Sequence, residues 1–342
     1  MSDGDPGRGR SRRPPRSTAE LQDQIRATRG EIRDQVRHTR AQFDEANARL
    51  TKRSGRNILF ATVFGVVLAG SALVSLVFWK PLFLVLGMAL VAFGTSELAV
   101  ALRHAGIRVP RVGAALVGVL AVPVAYFAVL PAQVQTARAA SGLTEPQVPG
   151  GWLAAIVFAV VAAVIWRLLS QLRSPVPGRT LGRDVLVTAF VQLYVTGLGS
   201  AAVVLVAQRN GQWWALSFLA VVVASDVFAY LSGLRFGKHP MAPRISPKKT
   251  WEGFAGAAVA TIVLGTVLAP LLLDRPIWFG PVFGVVILLT GTLGDLGESM
   301  IKRDIGVKDM SSWVPGHGGI LDRLDSVLPS AAAALLLYFA TT

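Results

Sequence analysis

From Asn57 onward, apolar stretches recur along the chain with only short polar breaks between them. Each runs to about 20 residues, the length at which a helix covers the roughly 30 Å of hydrocarbon in a bilayer. Such a medium tolerates only backbones that satisfy their own polar groups. The stretches 57–78, 82–102, 110–130, 151–169, 185–207, 212–234, 254–273, 277–298 and 324–341 predict nine transmembrane helices. Segment 151–169 (GWLAAIVFAVVAAVIWRLL) and segment 254–273 lack the polar stripe that a helix in a water-soluble bundle would show. The expected fold class is therefore an all-α polytopic membrane protein.

Composition agrees and adds a tension. The chain is 52% hydrophobic and only 16% charged, yet carries a formal net charge of +14. The tension dissolves once the charge is located. Residues 1–56 hold 14 Lys and Arg against 8 Asp and Glu and form a charged extension without the apolar run of a signal peptide. Its first 16 residues are rich in Gly, Pro and Arg and are expected to be disordered. Beyond them, Leu21, Ile25, Ile32, Val36, Phe43 and Leu50 make a thin heptad-like seam, read as a solvated helical arm. With no cysteine anywhere, disulfides, thiolate metal sites and cysteine nucleophiles are excluded.

The loops set the orientation. With a cytoplasmic N-terminus, loops 103–111, 167–184, 235–253 and 299–323 fall on its side with 16 basic residues. The opposite loops hold only Lys80, Arg138, Arg209 and Arg275, so the positive-inside rule is satisfied. Trp79, Trp152, Trp166, Trp213, Trp214, Trp251 and Trp278 fall at or near predicted span ends and are read as an aromatic belt. The expected location is the plasma membrane, multi-pass, with the basic loops in the cytoplasm.

Carboxylates are scarce after residue 56, twelve in all, and eight of them are Asp226, Glu252, Asp295, Glu298, Asp304, Asp309, Asp322 and Asp325. An ionised carboxylate in an apolar helix is costly without a partner. One such residue reads as a helix-end ion pair; a cluster on one membrane face reads as a site. Asp295, Glu298, Ser299 and Lys302 share a helix face by their spacing, and Asp322 and Asp325 repeat an i, i+3 pair on the next helix. Between them, Pro315-Gly316-His317-Gly318-Gly319 offers a turn with backbone amides for an anion. Lys302, Arg303, Lys308 and Arg323 surround it with positive charge. Carboxylates flanked by cations and glycine amides suit a metal-bound polyphosphate, with Mg2+ preferred to zinc because His317 is the one imidazole in this segment.

A second segment has the same character. Asp226, read as buried in the sixth helix, precedes a loop ending in Ser246-Pro247-Lys248-Lys249-Thr250-Trp251-Glu252-Gly253. Its paired lysines suit phosphates, although an ordinary positive-inside loop would also carry them. The nearby Gly233-Leu234-Arg235-Phe236-Gly237-Lys238-His239 is no phosphate-binding loop, having three residues between its glycines and His where Ser or Thr belongs.

The run from Ser299 to Asp325, S-M-I-K-R-x4-K-D-x-S-x-x-V-P-G-H-G-G-I-L-D-R-L-D, resembles the signature of the phosphatidate cytidylyltransferase (CDP-diacylglycerol synthase) family. Asp226, Gly237-Lys238 and the S-P-K-K-T-W-E-G run resemble that family upstream of the signature. Similarity is clear over about residues 180–342, and Val314 is a conservative departure from the family's Leu, Ile or Phe. The implied organisation is a 1–56 extension, N-terminal helices over 57–178 and a catalytic region over 179–342 with the signature at 299–325. The resemblance implies a membrane nucleotidyltransferase joining CTP and phosphatidate to give CDP-diacylglycerol and pyrophosphate.

On this reading Asp295, Asp322 and Asp226 are metal ligands, with Asp309 next, while Lys302, Arg303, Lys308 and Arg323 bind phosphates. Ser246, Lys248, Lys249, Ser299, Gly318, Gly319 and Asp325 contact substrate, and His317 either assists pyrophosphate or shapes its turn. The expected partners are CTP, phosphatidate and the bilayer, with Mg2+ as cofactor; a second, monovalent ion and a homodimer stay open. Glu97, alone in the second apolar stretch, either lines the lipid-head cavity or bonds a neighbouring helix. A CTP-dependent lipid kinase and a secondary transporter are the competing readings. Nucleic-acid binding is disfavoured because the basic residues follow the membrane topology.

Overall fold

The computed structural model describes Val67 and residues 70–127, 150–311 and 318–341, all within a compact unit spanning Ala61–Thr342. The expected arm at 1–56, most of the first expected span and His317 lie outside the described residues. Residues 70–78 are helical, followed by α1 (Lys80–His104), α2 (Arg111–Phe127) and α3 (Gly150–Ser170). Next, α4 (Gly178–Val191) passes through a π-helical turn, Gln192–Gly197, into α5 (Leu198–Ala207). After α6 (Gly211–Phe236), strands β1 (Pro240–Ala242) and β2 (Ser246–Thr250) form an antiparallel hairpin. Helices α7 (Trp251–Leu271) and α8 (Phe279–Asp304), a four-residue α9 (Leu321–Leu324) and α10 (Val327–Thr341) complete the order.

Among the described residues, seven helical segments are long and apolar enough to cross a membrane, and α2 is a shorter apolar helix. Their packing is the inverse of a soluble bundle. In α3 the buried positions are Ala155, Ala159, Ala163 and Arg167, four residues apart, while Val157, Val161, Ile165 and Leu169 face outward. In α7, Gly253, Ala257, Thr261, Gly265 and Ala269 turn inward, and Val259, Val263, Val267 and Leu271 turn out. Small residues inside let backbones approach closely where lipid removes the hydrophobic drive between helices. This arrangement supports an all-α membrane-spanning fold.

Helix α7 packs against both α6 and α8, and α10 packs against α5 and α8. At the centre, Trp214 meets Phe279, Phe283 and Tyr338 at ring-centroid distances of 5.3–5.9 Å. Two tryptophans expected in the aromatic belt are therefore core residues. Trp214 is 2% exposed, and Trp152 is buried with its indole N–H donating to Gly197 O and Ser200 Oγ. Span-end position could not separate them from Trp79 and Trp278, which are exposed. A second cluster joins Leu98 of α1, Val195 of the π turn, and Leu321, Leu324 and Leu328.

Close approach is required where α8 meets the start of the last helical segment. A Cβ at Gly294 would collide with the Asp325 carbonyl, whereas one at Gly297, a turn away, would meet nothing within 4 Å. Gly294→Ala should therefore cost about 1–3 kcal/mol through overpacking, while Gly297→Ala should be neutral or stabilising by up to about 1 kcal/mol. Thermal unfolding of the detergent-solubilised variants checks the contrast.

Candidate active site

A cavity of about 310 Å³ lies among α6, α7, α8 and the β-hairpin. Asp226 and Tyr230 of α6, Lys248 and Lys249 of β2, Phe254 of α7 and Asp295 of α8 are among its lining residues. Helix α7 stands between α6 and α8, so the carboxylates of the two outer helices face a common space. The Lys249 ammonium lies 2.6 Å from Asp295 Oδ2, and Ser299 Oγ approaches Asp295 Oδ1 at 3.4 Å. Asp226, Asp295 and Asp325 stand within electrostatic reach of one another, with Lys249 as a counter-charge to Asp226. Asp226 is exposed on the wall of the cavity, which corrects the expectation that it is buried.

The hairpin that carries the lysines is pinned at its base. Thr250 caps α7, its Oγ1 accepting from Gly253 N at 3.1 Å. Glu252 Oε2 accepts from the backbone N–H groups of Lys238 and His239, and its Oε1 lies 2.6 Å from His239 Nδ1. Trp251 N donates to His239 O at 3.0 Å, closing the turn onto the helix start. On the other side, Arg303 Nε reaches Ile245 O at 3.5 Å. Gly233–Phe236 are thus the end of α6, and Gly237–His239 lead from it into the hairpin.

The Ser299–Asp325 run is organised by two carboxylates. Lys302 Nζ lies 2.9 Å from Asp322 Oδ1 and 3.2 Å from Glu298 Oε2, with Glu298 fully buried. Asp322 Oδ2 accepts from Met310 N at 3.0 Å and from Gly319 N at 2.7 Å. Glu97, from α1, does the same work one rung along. Its Oε1 accepts from Ser311 Oγ at 2.6 Å and Ile320 N at 3.0 Å, and its Oε2 accepts from Leu321 N at 2.8 Å. Of the two expectations for Glu97, the hydrogen-bonding one holds, with a loop and helix start as its partner.

These bonds correct a second expectation. The Gly319 amide is committed to Asp322, so it is not a free donor for an anion. The two glycines fit because side chains would not: Gly318 has φ +81°, and a Cβ there would lie 2.7 Å from Asp322 Oδ2. A Cβ at Gly319 would lie 2.7 Å from Glu97 Oε2. Asp322, with both oxygens engaged by protein groups, faces Lys302 and the loop and is not among the cavity-lining residues.

The remaining expected residues divide as follows. Lys308 and Asp309 are exposed in the bend after α8, with Asp309 beside Gly318. Arg303 and Arg323 are exposed, and Asp325 Oδ1 accepts from Ser326 N at 2.7 Å. Ser246 opens β2, two residues from Lys248, outside the cavity lining. One group escaped sequence reading altogether. Tyr194, in the π-helical turn, has a buried hydroxyl with no hydrogen-bond partner among the described residues, within electrostatic reach of Glu298, Asp325 and Asp295. A π turn re-aims a side chain by a residue and leaves no trace in hydropathy.

Among the described residues, no three His, Asp or Glu side chains are grouped to enclose a metal ion. Asp226 and Asp295 nevertheless fit magnesium, which is held by one or two carboxylates, waters and substrate phosphates and needs no complete protein cage.

A family model described as "Cytidylyltransferase family" matches residues 60–341. The phosphatidate cytidylyltransferase of Mycobacterium bovis is 38% identical over 295 residues, covering 84% of this chain and 90% of the relative. That of Mycobacterium leprae is 36% identical over 294 residues, 83% of this chain and 88% of the relative. That of Brucella abortus is 43% identical over 120 residues, 35% of this chain and 44% of the relative.

Removing the Lys302 ammonium would strand Glu298 and Asp322, whose side chains are 0% and 6% exposed. Lys302→Met should cost about 3 kcal/mol, whereas Lys308→Met, at an exposed bend, should stay within about 0.5 kcal/mol. The two thermal-unfolding midpoints report the difference.

Proposed function

The chain belongs to the cytidylyltransferase family, and from that premise we propose that it is the membrane enzyme joining CTP and phosphatidate to give CDP-diacylglycerol and pyrophosphate. The observation that carries the reading is the match along nearly the whole transmembrane region, coupled to a cavity that juxtaposes Lys249 and Asp295. A lipid kinase and a transporter are not favoured by these relatives.

In the reaction, a phosphate oxygen of phosphatidate forms a bond to the α-phosphorus of CTP while the bond from that phosphorus to the bridging oxygen breaks, releasing pyrophosphate. The nucleophile needs no strong general base, since the second ionisation of a phosphomonoester lies near pH 6. The barrier is electrostatic, because two polyanions must meet. Lys248 and Lys249 bind the triphosphate from the hairpin. Lys302, held by Glu298 and Asp322, presents a fixed cation beneath the signature loop. Asp226 and Asp295 would hold Mg2+, which would supply positive charge against the phosphates. The basic loops support a cytoplasmic-facing site in the plasma membrane.

Membranes containing the protein, incubated with phosphatidate and CTP labelled in the base, should transfer label into lipid; label left in the aqueous phase would refute the reading. Activity should vanish with a chelator and return with Mg2+. Asp295→Asn should lower turnover at least about a hundredfold, as loss of a group that organises transition-state charge does. Full turnover in a well-folded Asp295→Asn protein would remove Asp295 from the metal site.

A further inference from the structure

We infer that Glu97 is a positioning residue for this reaction, a carboxylate from the N-terminal half that ties residue 311 to residues 320 and 321 of the signature run. The inference rests on the cytidylyltransferase reading for its assay and on geometry for its content. Glu97 is fully buried in α1, more than 200 residues from its partners in sequence. A buried carboxylate in a membrane-spanning helix is costly unless hydrogen-bonded. The three bonds shown for Glu97 come from the two ends of one loop: Ser311 before it, and Ile320 and Leu321 after it.

The two carboxylates act on adjacent rungs. Asp322 joins residue 310 to residue 319, and Glu97 joins residue 311 to residues 320 and 321. Residues 310 and 311 are therefore tied to residues 319, 320 and 321 by a double clamp. Asp322 itself follows directly on the amides that Glu97 holds, and Lys302 takes its place from Asp322. Glu97 thus fixes the register on which the Lys302 cation depends, without lining the cavity. Its side chain also accounts for glycine at position 319, where a Cβ would press on the carboxylate. The catalytic region is accordingly incomplete without α1.

Glutamine at position 97 keeps the size but offers one acceptor oxygen where Glu97 uses two, so at least one of these donors loses its partner. The loss of a buried hydrogen bond of this kind predicts a fall in kcat of about tenfold or more, with the KM for CTP changed less than about threefold because the hairpin lysines are untouched. The chain has no cysteine, so a single Ser312→Cys reporter, which should itself turn over normally, can be labelled cleanly with a water-soluble maleimide. In the Glu97→Gln background its labelling should accelerate several-fold.

Ser311→Ala, which removes one bond and leaves the carboxylate in place, gives a milder loss and covers the case of a Glu97→Gln protein that does not fold. The double variant should be no worse than Glu97→Gln alone, since both act on one interaction. Glu97→Gln with normal kcat and normal labelling would overturn the inference, as would lost turnover with unchanged labelling. If the parent protein fails to label lipid from CTP while the labelling contrast persists, the clamp stands and the functional reading falls.

Discussion

Close backbone approach is the condition on which the rest of this bundle depends. In lipid, large aliphatic side chains gain little by turning inward, so helices associate through small residues that let main chains pack. The four-residue repeat of Gly253, Ala257, Thr261, Gly265 and Ala269 fits α7 between α6 and α8. Gly294 then lets α8 lie against the Asp325 backbone. Only at that spacing do Asp226 and Asp295 face one cavity and Lys249 reach Asp295. The acidic cluster follows from the packing of residues that have almost no side chain.

Polar groups inside such a bundle must find partners within the protein, and the way they do so separates substrate-facing groups from supporting ones. Asp226 and Asp295 sit on an open cavity wall. Asp322 and Glu97 are spent on backbone N–H groups and a hydroxyl, and they tie residues 310 and 311 to residues 319–321. Arg167 and Asp184, paired at 2.8 Å and almost fully buried, perform a comparable structural duty between α3 and α4. Identical residue types thus differ in surroundings: Asp226 and Asp295 line the cavity, whereas Asp322 and Glu97 bond the main chain.

Much of this was legible in advance because hydropathy is a one-dimensional property. The polytopic, all-α character and the concentration of carboxylates between Asp226 and Asp325 follow from counting along the chain, although seven described helices, against nine expected, are long and apolar enough to span. Trp152 and Trp214 were misassigned because a span end looks the same whether its side chain faces lipid or core. The Gly318-Gly319 pair read as an anion cradle, since glycine signals an accessible backbone but not which acceptor already holds it. Tyr194 left no signal because the π turn that aims it is a matter of main-chain winding.

By itself, the sequence determined the solvent, the class of fold and the chemistry. Composition and run length fix the first two, and the signature run from Ser299 to Asp325 carries the third. Tertiary structure decided which carboxylates remain open and which are consumed. Glu97 joins the signature loop across more than 200 residues, and that contact is created by the folding of α1 against the last helices. No local pattern encodes it, because a hydrogen bond depends on distance in space, and distance in space between remote segments is set only when the helices pack.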